Sequence, residues 1–280
     1  MRYLRTVASY ALRNRFGHQS VTNPATPAVV SLTSYGKRTG KVHRTIESIG
    51  SGVVLPSRLI LWLDDAEVVA RPPAALARLI KRGLEVRLTE DIGPHKKYYP
   101  YVASITEHAV ALVTADDDVF YPAVWLQQLL QASAKHPEDV ICQRARVAIV
   151  REGVLGPYAE WPPSNNMTDL TNLIGIGVSG ILYPPSFLTL LHRQGDRFKV
   201  DCPRADDLWL HVNALRDGRT VRQVGALPGY YQGFFRSQTS ALWKSNMSDG
   251  NDAVIARLYQ PSDIALLKEE SELRAGGMLG

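Results

Sequence analysis

Ala109-Val110-Ala111-Leu112-Val113-Thr114-Ala115-Asp116-Asp117-Asp118 is the stretch on which the fold turns. From 109 to 114 the side chains are small or apolar at odd and even positions alike, the pattern of a strand buried on both faces. Three carboxylates then end it. Upstream, Ala28 to Thr33, Arg58 to Leu63 and Leu84 to Leu88 have the same strand character. Helical stretches separate them, one from Val42 to Ile49 and one from Pro72-Pro73 to about Arg82, with Gly83 in the position favoured just past a helix end. A short helix is expected between the polar stretch 91–100 and Glu107. Strands alternating with helices at this spacing predict βαβ units in a mostly parallel sheet, an α/β fold. Ligands of such sheets bind beyond the carboxyl ends of the strands, where Asp64, Asp65, Asp116, Asp117 and Asp118 all fall.

Downstream the pattern loosens. Trp125 to Ala134 reads as helix, Val140 to Val150 as strand-rich, and 156–168 as a loop of Pro, Asn, Tyr and Trp. Gly175-Ile176-Gly177-Val178-Ser179-Gly180 leads into Ile181-Leu182-Tyr183, which Pro184-Pro185 is expected to stop. Asp206 to Leu215 reads as a helix with acidic residues in its first turn, and the tail beyond Arg236 as polar, then helical. The expected organisation is a basic helix and linker over 1–27, a ligand-binding half over 28–122, a second half over 123–235 and a tail or lid over 236–280. Gln238, Thr239, Trp243 and Asn246 are candidates for that lid.

With 280 residues, 45% of them apolar, the chain has enough material for a large core. Its net charge of +5 is spread along the sequence rather than gathered in a Lys/Arg block, which argues against a dedicated nucleic-acid binder and suits anionic partners. Cys142 and Cys202 stand far apart without neighbouring Cys or His at metal-ligand spacing and read as small core residues of a reducing compartment, the cytoplasm. No apolar run approaches the ~20 residues that span a bilayer. At the N-terminus, Leu4, Val7, Ala8, Ala11 and Leu12 share one helical face, with Arg2, Arg5, Arg13 and Arg15 mostly off it. Such a helix suits either peripheral contact with the inner face of a membrane or docking on the protein's own body.

Three adjacent carboxylates repel one another, and a hard cation such as Mn2+ or Mg2+ relieves that repulsion. Side chains alternate along a strand, so Asp116 and Asp118 are expected to share a direction, with Asp117 across. An ion held there would bridge a diphosphate and offset charge on a leaving nucleotide. Asp206 and Asp207 offer a proton acceptor: two neighbouring carboxylates push one pKa upward, while a helix N-terminus opposes the rise. Asp206 also suits a helix cap. Lys96, Lys97 and Arg38 are candidate cations for a diphosphate. Trp161, Asn165 and Asn166 could stack on and hydrogen-bond a sugar, and Gly175, Gly177, Ser179 and Gly180 form a segment where backbone can approach a substrate closely.

Four segments in order carry a family resemblance: Val30-Ser31-Leu32-Thr33-Ser34-Tyr35, Leu61-Trp62-Leu63-Asp64-Asp65, Thr114-Ala115-Asp116-Asp117-Asp118, and Ala205-Asp206-Asp207-Leu208-Trp209-Leu210. Together they resemble the family-two-like GT-A glycosyltransferases of bacterial type over roughly residues 28–215. The resemblance implies a Rossmann-like nucleotide-binding half joined to an acceptor half, a nucleotide-diphosphate sugar as donor, a glycan or glycolipid as acceptor, and an Asp-x-Asp metal site. It implies that Thr33, Ser34 and Tyr35 contact the nucleoside and that Asp64 or Asp65 holds the base. Asp116 and Asp118 would meet ribose and metal, with Asp118 the direct ligand, and Asp207, with Asp206 second, would be the general base. Inverting transfer fits the acidic pair, although retaining enzymes share the Asp-x-Asp element. Some relatives add a C-terminal His to the metal, and no His follows His211 here. Two other readings fit the same acidic strand end: a metal-dependent nucleotidyl or phosphoryl transferase, against which the missing P-loop counts, and a non-catalytic nucleotide-sugar-binding protein.

Overall fold

Seven strands form one sheet in the order β11-β5-β10-β4-β1-β2-β3. Here β1 is Ala28–Thr33, β2 Arg58–Leu63, β3 Leu84–Leu88, β4 Ala111–Ala115, β5 Val140–Cys142, β10 Ile181–Tyr183 and β11 Val221–Gln223. The computed structural model describes residues 2–165, 172–234 and 250–267. Strands β3, β2, β1 and β4 run parallel, as do β5 and β11; β10 is antiparallel to both of its neighbours, β4 and β5. The expected α/β class with a mostly parallel central sheet is what the chain adopts.

Every residue of β1 and β4 is buried, and the two-residue alternation sends their side chains into different cores. Val29 and Leu112 pack on one side with Tyr101, Phe187, Leu208 and Ile255. Val30 and Val113 pack on the other with Ile46, Leu79 and Leu129. The first core is covered by α5 (Tyr99–Ala103), α7 (Pro185–Gln194), α9 (Asp206–Arg216) and α10 (Asn251–Leu258). The second is covered by α2 (His43–Ile49), α4 (Ala74–Ile80) and α6 (Trp125–Lys135). A sheet wet on neither face needs continuously apolar strands, which is why the run at 109–114 was so readable.

One local expectation is corrected, and two features are added to the reading. Pro184-Pro185 does not stop the chain but opens α7, because a proline in the first helical turn gives up only an N–H that has no intrahelical partner. Asp65 starts an additional short helix, α3 (Ala66–Ala70), accepting from the amides of Glu67 and Val68. In the N-terminal helix, α1 (Arg2–Phe16), the apolar stripe faces outward: Leu4 is 70% exposed, Leu12 59% and Phe16 63%. The docked face is polar and aromatic instead. Tyr3 and Tyr10 pack on Phe120, Arg13 pairs with Glu47, and Asn14 bonds Glu47 and accepts from Arg78. Glu47 is fully buried and is paired with Arg82 as well as Arg13, partners that a buried carboxylate requires.

Candidate active site

The parallel register brings the ends of β1, β2 and β4 to one edge, since Leu32 lies beside both Leu61 and Ala115. Ser34, Asp64 and Asp116 are therefore the first residues past three neighbouring strand ends. Across from them, α9 delivers Asp206 and Asp207, and the 3-10 turn Gly93–Lys97 lies between. The result is a cleft of about 740 Å³ lined from both halves of the chain.

At one end of this cleft Tyr35 presents a ring 42% exposed, with the Arg38 guanidinium 5.5 Å and the Lys96 ammonium 5.9 Å from its centre. Lys96 is buried and ion-paired with both Asp64 and Asp91. It lines the cleft with its charge matched by these two carboxylates, as Arg38 and Lys97 do with theirs. Asp65 does not line the cleft; its carboxylate caps α3, which resolves the choice between the two acids in favour of Asp64 as the cleft residue. Thr33 lines the cleft but commits its hydroxyl to the Trp62 carbonyl at 2.9 Å. Ser34 is fully buried and donates to Asp117.

The three strand-end carboxylates have separate environments. Asp117 is buried among Ser34 and Arg38, with its own carbonyl accepting from Thr45 at 2.9 Å. Asp118 shares the Arg38 guanidinium at 3.0 Å. Asp116 pairs with Lys97 at 2.5 Å, and its amide donates to the Tyr121 hydroxyl. The expected crowding is thus relieved by Arg38 and Lys97, and a metal is not the only remedy. Among the described residues no three His, Cys, Asp or Glu side chains gather as a metal cage. Asp116 and Asp118 still bring carboxylate oxygens to the cleft, hard donors that suit Mn2+ or Mg2+. Asp116 and Asp118 are the residues that would hold such an ion, which would supply positive charge to the cleft.

Lys97 is the hinge of the arrangement. Its carbonyl accepts from the buried Ser31 hydroxyl at 2.6 Å, and its ammonium lies 3.7 Å from Asp206 as well as against Asp116. Burial pulls its pKa down, but the charges of Asp116, Asp206 and Asp207 outweigh that and hold it well above the ordinary lysine value. Neighbouring His95 ties the turn to the approach of α9, bonding the Cys202 carbonyl at 2.7 Å and the Tyr98 hydroxyl at 3.1 Å. Burial lowers its pKa to about 4, so it is neutral there.

Asp206 and Asp207 occupy the first two positions of α9, after Ala205 as the capping residue. The expected side-chain cap by Asp206 is corrected: no side chain caps this helix, and Asp206 turns to Lys97 instead. Both carboxylate oxygens of Asp207 accept from the Gly177 amide at 3.2 Å. Burial first, and then the charge of Asp206, push Asp207 up to about 8, against the opposing pull of Lys97 and the amide. A Cβ at Gly177 would lie 3.0 Å from the Asp207 carboxylate, which would have to shift to admit it. Gly177 thus approaches the acid closely and also lines the cleft.

Several acceptor expectations are corrected. Trp161 is 1% exposed and donates its indole N–H to the Gly156 carbonyl, so it cannot stack on a sugar. Asn165 is exposed but does not line the cleft, and Asn166 lies outside the described residues, as do Gln238, Thr239, Trp243 and Asn246. Ser179 is buried and spends its hydroxyl on the Gly229 carbonyl at 2.6 Å. Gly180, with φ at +95°, gives way to the Trp125 indole, and Gly175 to Ile181 and Cys142. Both cysteines are buried free thiols.

The cleft also holds Arg144, Arg146, Arg204, Tyr158 and Tyr230, none of which was expected from the sequence. A signal for two of them was present: Arg144 and Arg146 stand two apart at the strand-like end of 140–150, which places them on one face.

No protein-family model matches the chain, and no curated protein matches it. Among solved structures it is similar to the mannosyltransferase PcManGT from Pyrobaculum calidifontis in complex with GDP-Man and Mn2+, at 14% identity and a TM-score of 0.48, over 79% of this chain and 63% of that one. It is similar to S. aureus TarS 1–349 at 14% identity and a TM-score of 0.48, over 74% and 59% of the two chains. A CMP:2-keto-3-deoxy-manno-octonic acid synthetase complexed with CTP shares 10% identity and a TM-score of 0.47, over 81% of this chain and 100% of that one. The chain thus spans less than two thirds of the first and second of these structures.

Proposed function

We propose that the protein is a glycosyltransferase moving a sugar from a nucleotide-diphosphate donor to an acceptor hydroxyl, with inversion. The observation that carries this reading is one cleft in which Lys97 stands between the strand-end acid Asp116 and the helix-start pair Asp206 and Asp207. Anionic donor chemistry and proton removal need those two groups in reach of one bound substrate. In this reading 28–122 binds the donor and 123–235 the acceptor. Tyr35 stacks on the base, Asp64 accepts from it while Lys96 fixes the carboxylate, and Arg38 and Lys97 face the diphosphate.

Asp207 removes the proton of the acceptor hydroxyl as its oxygen attacks the anomeric carbon. The bond from that carbon to the diphosphate breaks on the opposite side, and the leaving group departs toward Arg38 and Lys97. A carboxyl raised toward neutrality is the better proton acceptor, and the Gly177 amide keeps it oriented. An Mn2+ or Mg2+ ion, held by Asp118 and Asp116, would supply further charge to offset the leaving diphosphate.

We place the enzyme in the cytoplasm, resting on the inner membrane face through Leu4, Leu12 and Phe16 of α1, whose outward side also carries Arg5 and Arg15. No helix among the described residues is long and apolar enough to cross a membrane.

A thermal-shift panel of UDP-, GDP- and TDP-sugars and nucleoside triphosphates, with and without Mn2+, tests the donor reading. Stabilisation by a nucleotide-diphosphate sugar is expected, enhanced by the metal and lost from Asp118→Ala in its metal-dependent part. The variant should still fold, because Arg38 keeps Asp117 as partner. Unchanged Mn2+-dependent affinity in Asp118→Ala would sink the metal assignment; turnover of triphosphates alone would favour nucleotidyl transfer.

A further inference from the structure

The cations of the cleft divide into two kinds. Arg38, Lys96 and Lys97 each have carboxylate partners, at Asp117 and Asp118, at Asp64 and Asp91, and at Asp116. Arg144, Arg146 and Arg204 line the same cleft, and among the described residues none of them forms an ion pair.

Two of these arginines are nonetheless held in place. The Arg144 guanidinium lies 4.3 Å from the centre of the Tyr230 ring, and its Nε is buried without a hydrogen-bond partner. Stacking on an aromatic face leaves the edges of a guanidinium open for planar recognition of a carboxylate or phosphate. Arg146 donates from Nη1 to the carbonyls of Trp161 at 2.9 Å and Tyr158 at 3.4 Å, and lies 5.3 Å from the Tyr158 ring. Those neutral partners aim the group without matching its charge. A half-buried cation with no counter-charge is costly to keep, so its place in a cleft points to an anion from outside the chain.

Their position says which substrate. The Arg144 carbonyl accepts from the Ile176 amide at 2.8 Å, next to the Gly177 amide that holds Asp207. Arg204 precedes Asp206 by two residues. Tyr158, which also lines the cleft, is within electrostatic reach of Asp207 and Asp206 and of Arg146 and Arg144. The three arginines therefore belong to the same 123–235 half as the acidic pair, whereas Tyr35 and Asp64 belong to 28–122. Nor do they neutralise Asp207, whose principal cation is Lys97.

We propose that Arg144, Arg146 and Arg204 form an anion-binding subsite beside the catalytic carboxylates, and that the acceptor is an acidic sugar bearing a carboxylate or a phosphate ester close to the attacked hydroxyl. This deepens the glycosyl-transfer reading and rests on it for the word acceptor. The subsite holds the acceptor's negative group away from Asp206 and Asp207, which would otherwise repel it. It also discriminates against neutral sugars, which would leave the guanidinium groups unpaired.

The test is calorimetry on the full chain, free and saturated with the nucleoside diphosphate that stabilises it. The probes are methyl glucuronide, glucose 6-phosphate and, as the neutral control, methyl glucoside. At least one anionic sugar is expected to bind roughly tenfold or more tighter than the glucoside, the worth of one or two charge-assisted hydrogen bonds. Which of the two binds tighter identifies carboxylate or phosphate as the group. Arg144→Gln and Arg146→Gln should each shrink that preference while nucleotide affinity stays within about twofold. Exposed Arg204→Gln, which carries no folding risk, should shrink it too. Equal binding of charged and neutral sugars, or no binding of either anionic sugar at millimolar concentration, overturns the subsite. So does a loss of nucleotide affinity in the arginine variants without loss of sugar preference, because that assigns them to the donor. Failure of every nucleotide to bind wild-type protein strikes the glycosyl-transfer reading alone, since the sugar preference is also measured on the free chain.

Discussion

Burial and the charge of Asp206 push the Asp207 carboxyl up, while Lys97 and the Gly177 amide pull it down, and the upward influences prevail. That balance has a catalytic and a stability signature. With Asp207→Asn the side chain keeps its shape and loses its proton acceptor, so single-turnover transfer should fall by roughly 10²–10⁴-fold while donor binding persists. In the wild type the rate should climb with pH as the raised carboxyl ionises. Near-normal transfer by the variant, or a product of retained configuration, would remove Asp207 as the inverting base. The stability signature follows from linkage. Above the ordinary aspartate range the unfolded chain has lost this proton while the folded one keeps it, so rising pH favours unfolding until it passes the folded value near 8. Asp207→Asn lacks that contribution. Its melting temperature should therefore gain on the wild type steadily from pH 5 to pH 8, and a constant gap in differential scanning calorimetry would refute the raised value.

The N-terminal helix was legible as an amphipathic element, but which of its faces meets the body was not. Docking is made by Tyr3, Tyr10, Arg13 and Asn14, whose rings and hydrogen bonds match Phe120, Glu47 and Arg78. The apolar stripe is left outside. Deleting the helix would also strip Glu47 of partners, so point variants are the cleaner probe. Replacing Leu4, Leu12 and Phe16 together by Ser should weaken sedimentation with anionic vesicles by about tenfold or more, because each inserted side chain is worth on the order of 1.5 kcal/mol even when only partly buried. Nucleotide-induced thermal shifts should not change. Equal sedimentation of wild type and variant would assign the stripe to another protein surface.

Across the whole molecule, Lys97 joins the strand end carrying Asp116 to the helix start carrying Asp206, so one side chain ties the two walls of the cleft together. In Lys97→Met the aliphatic stem remains and the charge goes. Asp116 then loses its cation, which should cost about 3–5 kcal/mol in urea unfolding if the pair behaves as a buried one. With its main opposing charge gone, Asp207 should ionise later still, moving the rising limb of the pH–rate profile up by roughly 1–3 units. A profile that stays in place would show that Lys97 does not act on Asp207. A shift without a rate loss at its new plateau would confine Lys97 to setting the ionisation.

The sequence by itself determined the sheet: strands buried on both faces must be apolar at every position, so β1, β2 and β4 were visible, together with the acids that follow them. It also determined that Asp206 and Asp207 open a helix, because acidic residues before a periodic apolar run have few other readings. Only the tertiary structure decided what those residues face. Asp64 and Asp65 are adjacent and identical in type, yet one meets Lys96 in the cleft and the other caps α3. Trp161 had the chemistry of a sugar platform and is buried with its N–H satisfied. Arg144 and Arg146 drew no functional expectation from the sequence, and are cleft residues where β9 (Leu173–Gly175) pairs with β6 (Ala145–Val147), the short strand that Arg144 precedes and Arg146 occupies. Periodicity is a property of neighbours in the chain, so it reaches the element and its faces. Partners come from distant segments, and only the folded chain brings those together.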